Sequence, residues 1–248
     1  MREWQACWGL VMVAIASWIG VAFAQEKEAD QSRGDAPSKP PANQVWTTSS
    51  CQPDKEGWRP LLPPQGLSGW EITDYGERGV VRRDGEQLII EAGDPLNGIT
   101  YLGKDFPKEN FEIYLEASRL EGRDFFCGLT FPVGEEFCSL IAGGWGGTIV
   151  GLSSVDGFDA SENATTTAED FENDRWYRFL VRVDDEYVRV WIDGEEFFRQ
   201  EREGHEFSTR IEVYANQPLG LATFMTKAAV RNFRWRPLAV SPKSAPSK

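Results

Sequence analysis

The sequence predicts an all-β domain, built as a jelly-roll sandwich of two antiparallel sheets. Apolar and polar residues alternate in segment after segment; in FEIYLEASR, for example, Phe111, Ile113 and Leu115 fall on one face of an extended chain. Gly, Pro, Asp and Asn separate these segments, and no long helical pattern interrupts them. Many short strands in one domain indicate a sandwich or barrel, and the strand number relative to the chain length favours the two-sheet jelly roll.

The individual strands are predicted from this alternation, taken in chain order. The segments that carry it are GEQLIIEAG, FEIYLEASR, DFFCGLTFP, EFCSLIAGG, TIVGLSS, RWYRFLVRV, YVRVWIDG, EEFFRQE, RIEVYAN, LGLATFM and AAVRNFRWRPL. Asp193-Gly194, between VRVWI and EEFF, is a strong signal for a two-residue hairpin turn. Because sequential antiparallel strands are usually neighbours, we expect most of these segments to pair with the next one.

Two cysteines flank one of the predicted hairpins. Phe131-Pro132-Val133-Gly134 suits a type I turn with Pro second and Gly fourth. Cys127 and Cys138 are symmetric about Pro132-Val133, so the sequence predicts that they face each other on neighbouring strands. Both alternate with apolar residues and should point inward, either bonded to each other or as small core side chains.

A second hairpin is predicted around the polar turn Asp184-Asp185-Glu186. Apolar residues with a spacing of two lie on both sides of it. The sandwich core is therefore expected to include Trp176, Val181, Val183, Val188, Val190 and Ile192.

The ends of the chain differ in composition from its middle. Residues 1–24 read as a signal peptide, with Arg2, an apolar segment and Ala22-Phe23-Ala24 as the cleavage site; a membrane anchor is the alternative. Residues 25–55 are predicted to be a disordered tether, 56–238 the jelly-roll domain and 239–248 a disordered tail. We expect the mature protein to be exported, to the periplasm or the extracellular space, without further membrane contact.

Charge and composition exclude several classes of function. The formal net charge of −13 argues against nucleic acid and anionic membrane surfaces as partners. His205 is the one histidine and there is no C-x-x-C pair, so a zinc site of ordinary composition is disfavoured. A solvated surface role for His205 is favoured over a part in a catalytic triad.

A glycine-rich stretch, IAGGWGGTIVGLSSVDG at 141–157, stands in the middle of the chain. It lacks the Lys and Ser or Thr of a phosphate loop and the spacing of a dinucleotide fingerprint. It reads instead as a strand pair in which Gly144 and Gly146 let a backbone or a ligand come close. Trp145 is then either a core residue or a flat exposed platform on which a sugar stacks.

Four segments in the same order resemble a known family. They are GWRPLLPPQGLSGWE, FEIYLEASRLEG, RWYRFLVRVDDEYVRVWIDGEEF and AAVRNFRWRPL, and they are similar to the 3-keto-disaccharide hydrolase domain family over about residues 56–238. The resemblance implies a concanavalin A-like jelly roll, shared with laminin-G modules and family 16 glycoside hydrolases, and a carbohydrate partner. Typical members carry Asn-Ser-Gly where this chain has Phe126-Cys127-Gly128, and the E-x-D-x-x-E motif of family 16 is absent.

The chemistry that the resemblance implies needs few groups. A 3-keto sugar is acidic at C2, so one carboxylate, one electrophile near the carbonyl and a sugar platform suffice for an elimination. We expect Glu116 as the base, with Arg119 and Asp124 beside it, and Trp145 with Gly144 and Gly146 binding the sugar on one concave face. The alternative is a solvated sheet face on which these charges form a cross-strand ion pair.

Three acidic residues follow the glycine-rich stretch at intervals of three. Asp156, Asp159 and Glu162, in SSVDGFDASEN, offer oxygen ligands for a structural Ca²⁺, although the spacing is not that of an EF-hand. A solvated acidic loop is the competing interpretation. No other cofactor is expected.

Three functions therefore stay open from the sequence. The first is a hydrolase or lyase that cleaves glycosidic bonds of 3-keto-glycosides or related sugars. The second is a carbohydrate-binding jelly roll without catalysis, which the missing Asn-Ser-Gly favours. The third is a structural module held by its N-terminal tether.

Overall fold

The alternating pattern folds into strands, as predicted. The computed structural model describes residues 46–239, so the predicted signal peptide, most of the predicted tether and nearly all of the tail lie outside the described residues. Within 46–239 none of the helices is long and apolar enough to span a bilayer.

The described residues form antiparallel strands and two short 3-10 helices. The strands are β1 (Arg59–Pro60), β2 (Trp70–Ile72), β3 (Val81–Asp84), β4 (Gln87–Ile90), β5 (Leu96–Tyr101), β6 (Phe111–Glu121), β7 (Cys127–Val133), β8 (Glu136–Gly144), β9 (Ile149–Ser153), β10 (Thr167–Ala168), β11 (Tyr177–Val183), β12 (Tyr187–Ile192), β13 (Glu195–Glu201), β14 (Gly220–Phe224) and β15 (Lys227–Pro237). The 3-10 helices are Thr48–Ser50 and Ile211–Asn216.

The strands form two sheets, which confirms the predicted jelly-roll sandwich. The first sheet has eight strands, in the order β13-β12-β11-β6-β15-β4-β3, with β1 paired to β15. The second has seven, in the order β10-β9-β8-β7-β14-β5-β2. Alternate residues from each sheet meet in the core: Ile113 and Leu115 of the first sheet and Leu140 of the second are fully buried.

The hairpin β11–β12 confirms the predicted turn, with one correction to the core. Val181 pairs with Val190 and Val183 with Val188 across Asp184–Glu186, and all four valines are buried. Trp176 is wrong as a core residue. Trp176 lies just before β11, five positions before Val181, and an odd separation places two residues of an extended chain on opposite faces. Trp176 therefore lies on the outer face, half-buried, with its ring centroid 4.0 Å from the guanidinium carbon of Arg231.

The hairpin β7–β8 corrects the prediction for the two cysteines. Cys127 pairs with Ala142 and Cys138 with Phe131, so the cysteines do not face each other. Four positions of register separate them, about 13 Å along the strands, which is too far for a bond. Both are free and buried as predicted for core residues, and burial raises the pKa of each thiol to about 12.

The segment RIEVYAN is a 3-10 helix and not the predicted strand. Val213 and Asn216 are its buried residues, spaced three apart as this helix type requires. The apolar Ile211 and Tyr214 point to solvent, 88% and 65% exposed. The alternating pattern of this segment is too short to distinguish a strand from a helix. Packing against β5 and β14 of the second sheet favours the helix.

Residues 46–55, assigned to the tether from the sequence, pack on the domain. Thr48 is fully buried: its N–H donates to the hydroxyl of Tyr101 at 3.0 Å, and its hydroxyl accepts from Trp235 Nε1 at 2.6 Å. The composition hid this contact because hydrogen bonds of Thr48 and Ser49 and one tryptophan, Trp46, carry it rather than an alternating apolar pattern. Tyr101 ends β5 of the second sheet and Trp235 belongs to β15 of the first.

Candidate functional site

Two rows of mostly small residues cross the outer surface of the second sheet. Cross-strand partners define the rows: Gly98, Ala222, Gly128, Ile141 and Gly151 form one, and Thr100, Gly220, Thr130, Ser139 and Ser153 the other. The intervening residues, such as Leu129 and Leu221, point into the core. This alternation leaves a floor on which only Ile141 has a large side chain.

Covering segments lie directly on this floor. A Cβ at Gly151 would stand 2.8 Å from the carbonyl oxygen of Ala160, and one at Gly220 would stand 2.6 Å from the side-chain nitrogen of Asn216. Real Cβ contacts are longer than this, so the sheet needs glycine where the loop and the 3-10 helix cross it.

A pocket of about 220 Å³ stays open between the covering segments. Its lining residues are Leu96, Asp124, Phe125, Ile141, Trp145, Ser153, Arg210, Glu212, Val213 and Phe224. They combine an apolar wall with a few charged groups, which is the usual composition of a small-molecule site.

The apolar wall is built by two aromatic rings and the 3-10 helix. The rings of Phe125 and Phe224 pack with centroids 5.9 Å apart. Leu96 on β5 and Val213 on the helix form a small cluster with Ala222 beside these rings. Ile141 supplies the floor.

The charged end of the pocket centres on Arg210. Its Nη2 and Nε donate to the two carboxylate oxygens of Glu212 at 2.7 and 3.2 Å, and its Nη1 donates to Asp159. The hydrogen bonds from Arg210 lower the pKa of Glu212, and the bond to Glu212 raises the pKa of Arg210. Both groups are therefore charged at neutral pH, and the guanidinium is fixed between two carboxylates.

Trp145 stands at the tip of the turn between β8 and β9. Its φ is 49°, and those of Gly146 and Gly147 are 90° and 118°. Glycine suits such left-handed angles, whereas a tryptophan there costs about 1 kcal/mol. The indole is 45% exposed and lines the pocket, so the exposed interpretation of Trp145 holds and the core interpretation does not.

Asp124 and Arg119 hold this turn in place. The Asp124 carboxylate accepts the N–H of Gly146 at 3.1 Å and also that of Phe125 at 2.8 Å. Arg119 Nη1 donates to the carbonyl of Gly147 at 3.4 Å. Of the three predicted catalytic residues, only Asp124 lines the pocket; Arg119 reaches the far side of the turn.

Glu116 does not reach this site, which corrects the prediction that all these residues border one face. It lies on β6 of the first sheet and points away from the core. Its carboxylate accepts from Arg231 Nε at 2.6 Å and Asn232 at 2.8 Å. Burial raises the pKa of Glu116, but these hydrogen bonds outweigh burial and lower it overall. The cross-strand ion pair considered as the alternative is present, since Arg231 belongs to β15.

The two glycines predicted to bind the sugar also lie in different environments, and neither lines the first pocket. Gly144 is buried in the pairing of β8 with β9 and does not line the pocket. Gly146 is exposed and lines a second pocket, behind the turn.

The acidic loop does not bring the three predicted calcium ligands together. Asp156 accepts from His205 Nδ1 at 2.7 Å, so the histidine forms a half-exposed pair, while Asp159 is bound to Arg210. Glu162 is exposed. Between Trp46 and Ala239 no group of three metal-ligating side chains has the geometry of a metal site. These residues do not fit Ca²⁺, because Asp156 and Asp159 are bonded to His205 and Arg210 and Glu162 is not grouped with them.

Sequence reasoning missed the pocket residues on the late loop. Arg210, Glu212 and Val213 lie in the segment that was assigned to a strand. Phe125 and Phe224 were placed in strands without a site role. A detectable signal was the R-x-E spacing of Arg210 and Glu212 in a segment followed by Pro218, which disfavours continuation of a strand.

The comparison with family models gives one match. The model described as the 3-keto-alpha-glucoside-1,2-lyase-like domain matches residues 57–236. A comparison with curated proteins gives no significant match.

Solved structures of similar backbone come from several carbohydrate-related proteins. A protein of Parabacteroides distasonis, solved as a candidate glycosyl hydrolase, has 15% identity and a TM-score of 0.48, covering 74% of this chain and 95% of its own. The carbohydrate-binding module CBM66 of Bacillus subtilis has 11% identity and a TM-score of 0.43, covering 68% and 95%. Domain 4 of an extracellular arabinanase from Geobacillus stearothermophilus, solved with arabinotriose, has 16% identity and a TM-score of 0.45, covering 69% and 84%.

Proposed function

The chain belongs to the 3-keto-alpha-glucoside-1,2-lyase-like domain family, and from this premise we propose that it is an exported enzyme that cleaves 3-keto-glycosides in the Trp145 pocket. Membership of a carbohydrate-active family supports the class of ligand. The location of the site and the reaction are the parts that the proposal adds.

The observation that carries the proposal is the exposed indole beside an apolar pocket with charged ends. Trp145 is 45% exposed and has an unfavourable backbone conformation. A tryptophan in the core would avoid both the strain and the exposure of its apolar surface, so its position here favours a role in binding. Sugars stack their apolar C–H face on an indole while polar groups bind the hydroxyls. Asp124 and Arg210 are placed to supply such groups.

The reaction needs one base. The C3 carbonyl acidifies the hydrogen on C2; a carboxylate takes this proton, and the C–H electron pair forms the C1=C2 double bond. The bond from C1 to the glycosidic oxygen breaks, and that oxygen leaves with the electron pair and takes a proton from water. Asp124 is the proposed base and the Arg210 guanidinium the group that faces the carbonyl.

A second candidate, a sugar-binding domain without catalysis, is favoured by one feature of the pocket. Each of its carboxylates already has partners: Asp124 accepts two backbone N–H groups, and Glu212 is paired with Arg210, which lowers its pKa and its basicity. A carboxylate whose pKa is lowered, as that of Glu212 is, makes a weaker base than an unpaired one.

The experiment that separates the two candidates uses the purified protein and its Asp124→Asn variant. We expect wild type to cleave 3-keto-trehalose and leave unoxidised trehalose intact. The variant keeps the shape of the side chain but can accept only one of the two backbone N–H groups, so turnover should fall by about a hundredfold or more and binding by a clearly smaller factor. Product is followed by chromatography and binding by calorimetry.

Asp185→Asn is the matched control, because Asp185 is an exposed carboxylate at the β11–β12 turn. It should cleave like wild type. Full turnover by Asp124→Asn would remove Asp124 as the base, and binding of the keto sugar by wild type without any cleavage would establish the binding function.

Export is tested separately by expressing the full chain in a bacterial host and measuring the mass of the protein outside the cytoplasm. The proposal expects a mature protein that begins at Gln25. Protein retained in the cytoplasm with Met1 intact would contradict it.

A further inference from the structure

A second pocket lies behind the Trp145 turn, and neither the family match nor the proposed reaction assigns it a role. Its volume is about 360 Å³. It is lined by Arg119, Gly122, Arg123, Gly146, Gly147, Thr148, Asp170, Phe171, Glu172 and Asn173. Most of these are polar or charged, unlike the wall of the first pocket.

Arg119 is the buried cation of this pocket. Only 8% of the residue is exposed, and its recorded partners are all neutral: Asn173 Oδ1 at 2.7 Å and the carbonyls of Gly147 and Phe171. Within residues 46–239 it forms no ion pair. A guanidinium has five N–H groups, so two remain for a ligand. The carboxylate of Asp124 acts on this guanidinium electrostatically, but only from beyond ion-pair distance. A buried charge without a bonded counter-charge is costly, and an anionic ligand would offset that cost.

The exposed lining residues of the pocket carry both signs of charge, since Arg123 lies there beside two carboxylates. Asp170, Glu172 and Asn173 are exposed, and the two carboxylates have no ion-pair partner in the described part of the chain. Exposed carboxylates and amides accept hydrogen bonds from sugar hydroxyls at little desolvation cost. The pocket therefore has a fixed positive charge at depth and acceptors at its mouth.

The two pockets adjoin through the turn itself. Trp145 lines the first pocket and the next residue, Gly146, lines the second. Apart from its two chain neighbours, no residue would lie within 4 Å of a Cβ at Gly146, so no other segment covers the turn at that point. One ligand can lie across it with a ring on either side.

We propose that the second pocket binds a uronic acid unit, whose carboxylate pairs with Arg119, linked to the sugar ring that stacks on Trp145. This inference rests on the proposed function for the ring in the first pocket. A hexuronate offers one planar carboxylate for the two remaining guanidinium N–H groups and several hydroxyls for the rim. A neutral sugar ring would bring no negative charge to pair with the buried guanidinium of Arg119.

The test compares three ligands by calorimetry: a disaccharide of glucose linked to glucuronic acid, the methyl ester of the same disaccharide, and the neutral glucose disaccharide. We expect the acid to bind wild type about tenfold or more tightly than the ester or the neutral sugar, since a charge-assisted pair contributes at least about 1.4 kcal/mol. Higher salt should narrow the difference only partly, because the cation is buried.

Arg119→Gln separates ligand binding from support of the turn. If Arg119 pairs with the carboxylate, the ratio of the affinities for acid and ester falls to about one in the variant, whatever the loss of turn support does to both. If Arg119 only supports the turn, all three affinities fall together. Arg199→Gln, at an exposed arginine of β13, is the control and should keep the preference.

The outcomes distinguish the two proposals. Equal binding of acid, ester and neutral sugar by wild type would overturn the uronate inference and leave the Trp145 site intact. Failure of all three to bind would also overturn the uronate inference, whereas the Trp145 site is judged separately, by the binding of 3-keto-trehalose to wild type.

Discussion

The outer faces of the two sheets use charge in opposite ways. On the first sheet, Glu112 is fully buried and accepts from Arg182 Nε at 2.7 Å and from Arg236 Nε at 2.6 Å. Trp58 lies under the guanidinium groups of Arg234 and Arg236, at 4.9 and 4.5 Å. On the second sheet the two central rows carry mostly glycine, threonine and serine, and the charged groups of the pocket come from segments between the strands.

This difference between the two outer faces indicates on which sheet of the sandwich a ligand site can form. Charged side chains are concentrated on the first sheet, but they neutralise one another and stack on aromatic rings, so they are used for stability. The second sheet has few side chains to fill its surface, and a cavity can form there. Changes on the first sheet should therefore affect folding, and changes around the pocket should affect ligand binding.

The largest effect expected from this comparison is that of Glu112→Gln. The change leaves Arg182 and Arg236 without their shared carboxylate, and breaking such a buried pair costs about 3 kcal/mol of unfolding free energy. Urea unfolding measures the loss, and sugar binding by the folded protein should not change.

Glu196→Gln on β13 is the control, because its pair with Arg199 is exposed and contributes about 0.5 kcal/mol or less. Equal unfolding free energies of Glu112→Gln and Glu196→Gln would contradict the assignment of the first sheet's charges to stability.

A smaller effect is expected from Trp145→Ala, and it should appear in binding. Loss of the stacking platform should weaken sugar affinity about tenfold, or about 1.4 kcal/mol, while unfolding free energy stays within about 0.5 kcal/mol. Calorimetry and urea unfolding give the two values. Trp176→Ala is the matched change on the first sheet, where Arg231 covers the ring. A binding loss in Trp176→Ala as large as in Trp145→Ala would contradict the assignment of the site.

The smallest effect is expected from Glu116→Gln, and it depends on pH. The folded protein lowers the pKa of Glu116 below its usual 4.5, so its carboxylate stabilises the fold above that pH and ceases to do so as the pH falls through the lowered value. At pH 7 the variant should lose about 1 kcal/mol of stability. Near pH 2 it should match wild type.

Turnover of a 3-keto sugar by Glu116→Gln should equal that of wild type, because Glu116 lies on the sheet away from the pocket. Abolished turnover with retained binding would restore Glu116 as the base and reverse the assignment of the two faces.

The fold was predictable because one local pattern determines it. Alternation in FEIYLEASR and in the β11–β12 hairpin specifies which face is buried, and burial of one face fixes the register. The β7–β8 turn was misplaced because Pro132 was taken as a turn residue. On the side of β7 that faces β14, only Gly128–Thr130 are paired, so Pro132 lies beyond the end of β14 and needs no N–H donor there. The turn is made instead by Gly134, whose φ is 67°.

The candidate site was only half predictable. Trp145 and Asp124 were found because tryptophan among glycines and a charge next to a strand are local signals. Arg210 and Glu212 were missed because they reach the pocket through a 3-10 helix that is bonded to Thr73 and to β5, contacts between distant parts of the chain. Glu116 was misassigned because alternation shows that a residue points outward but not from which sheet.

The buried Thr48 has a mechanical consequence. Its backbone N–H binds Tyr101 of one sheet, and its hydroxyl binds Pro60 and Trp235 of the other. A force applied to the chain before residue 46 therefore reaches both layers at this one residue. Such a load is shared between the layers and does not peel one edge strand at a time. Thr48→Val would remove the hydroxyl and leave Trp235 Nε1 without its acceptor, concentrating the same force on β1 and the edge of the first sheet.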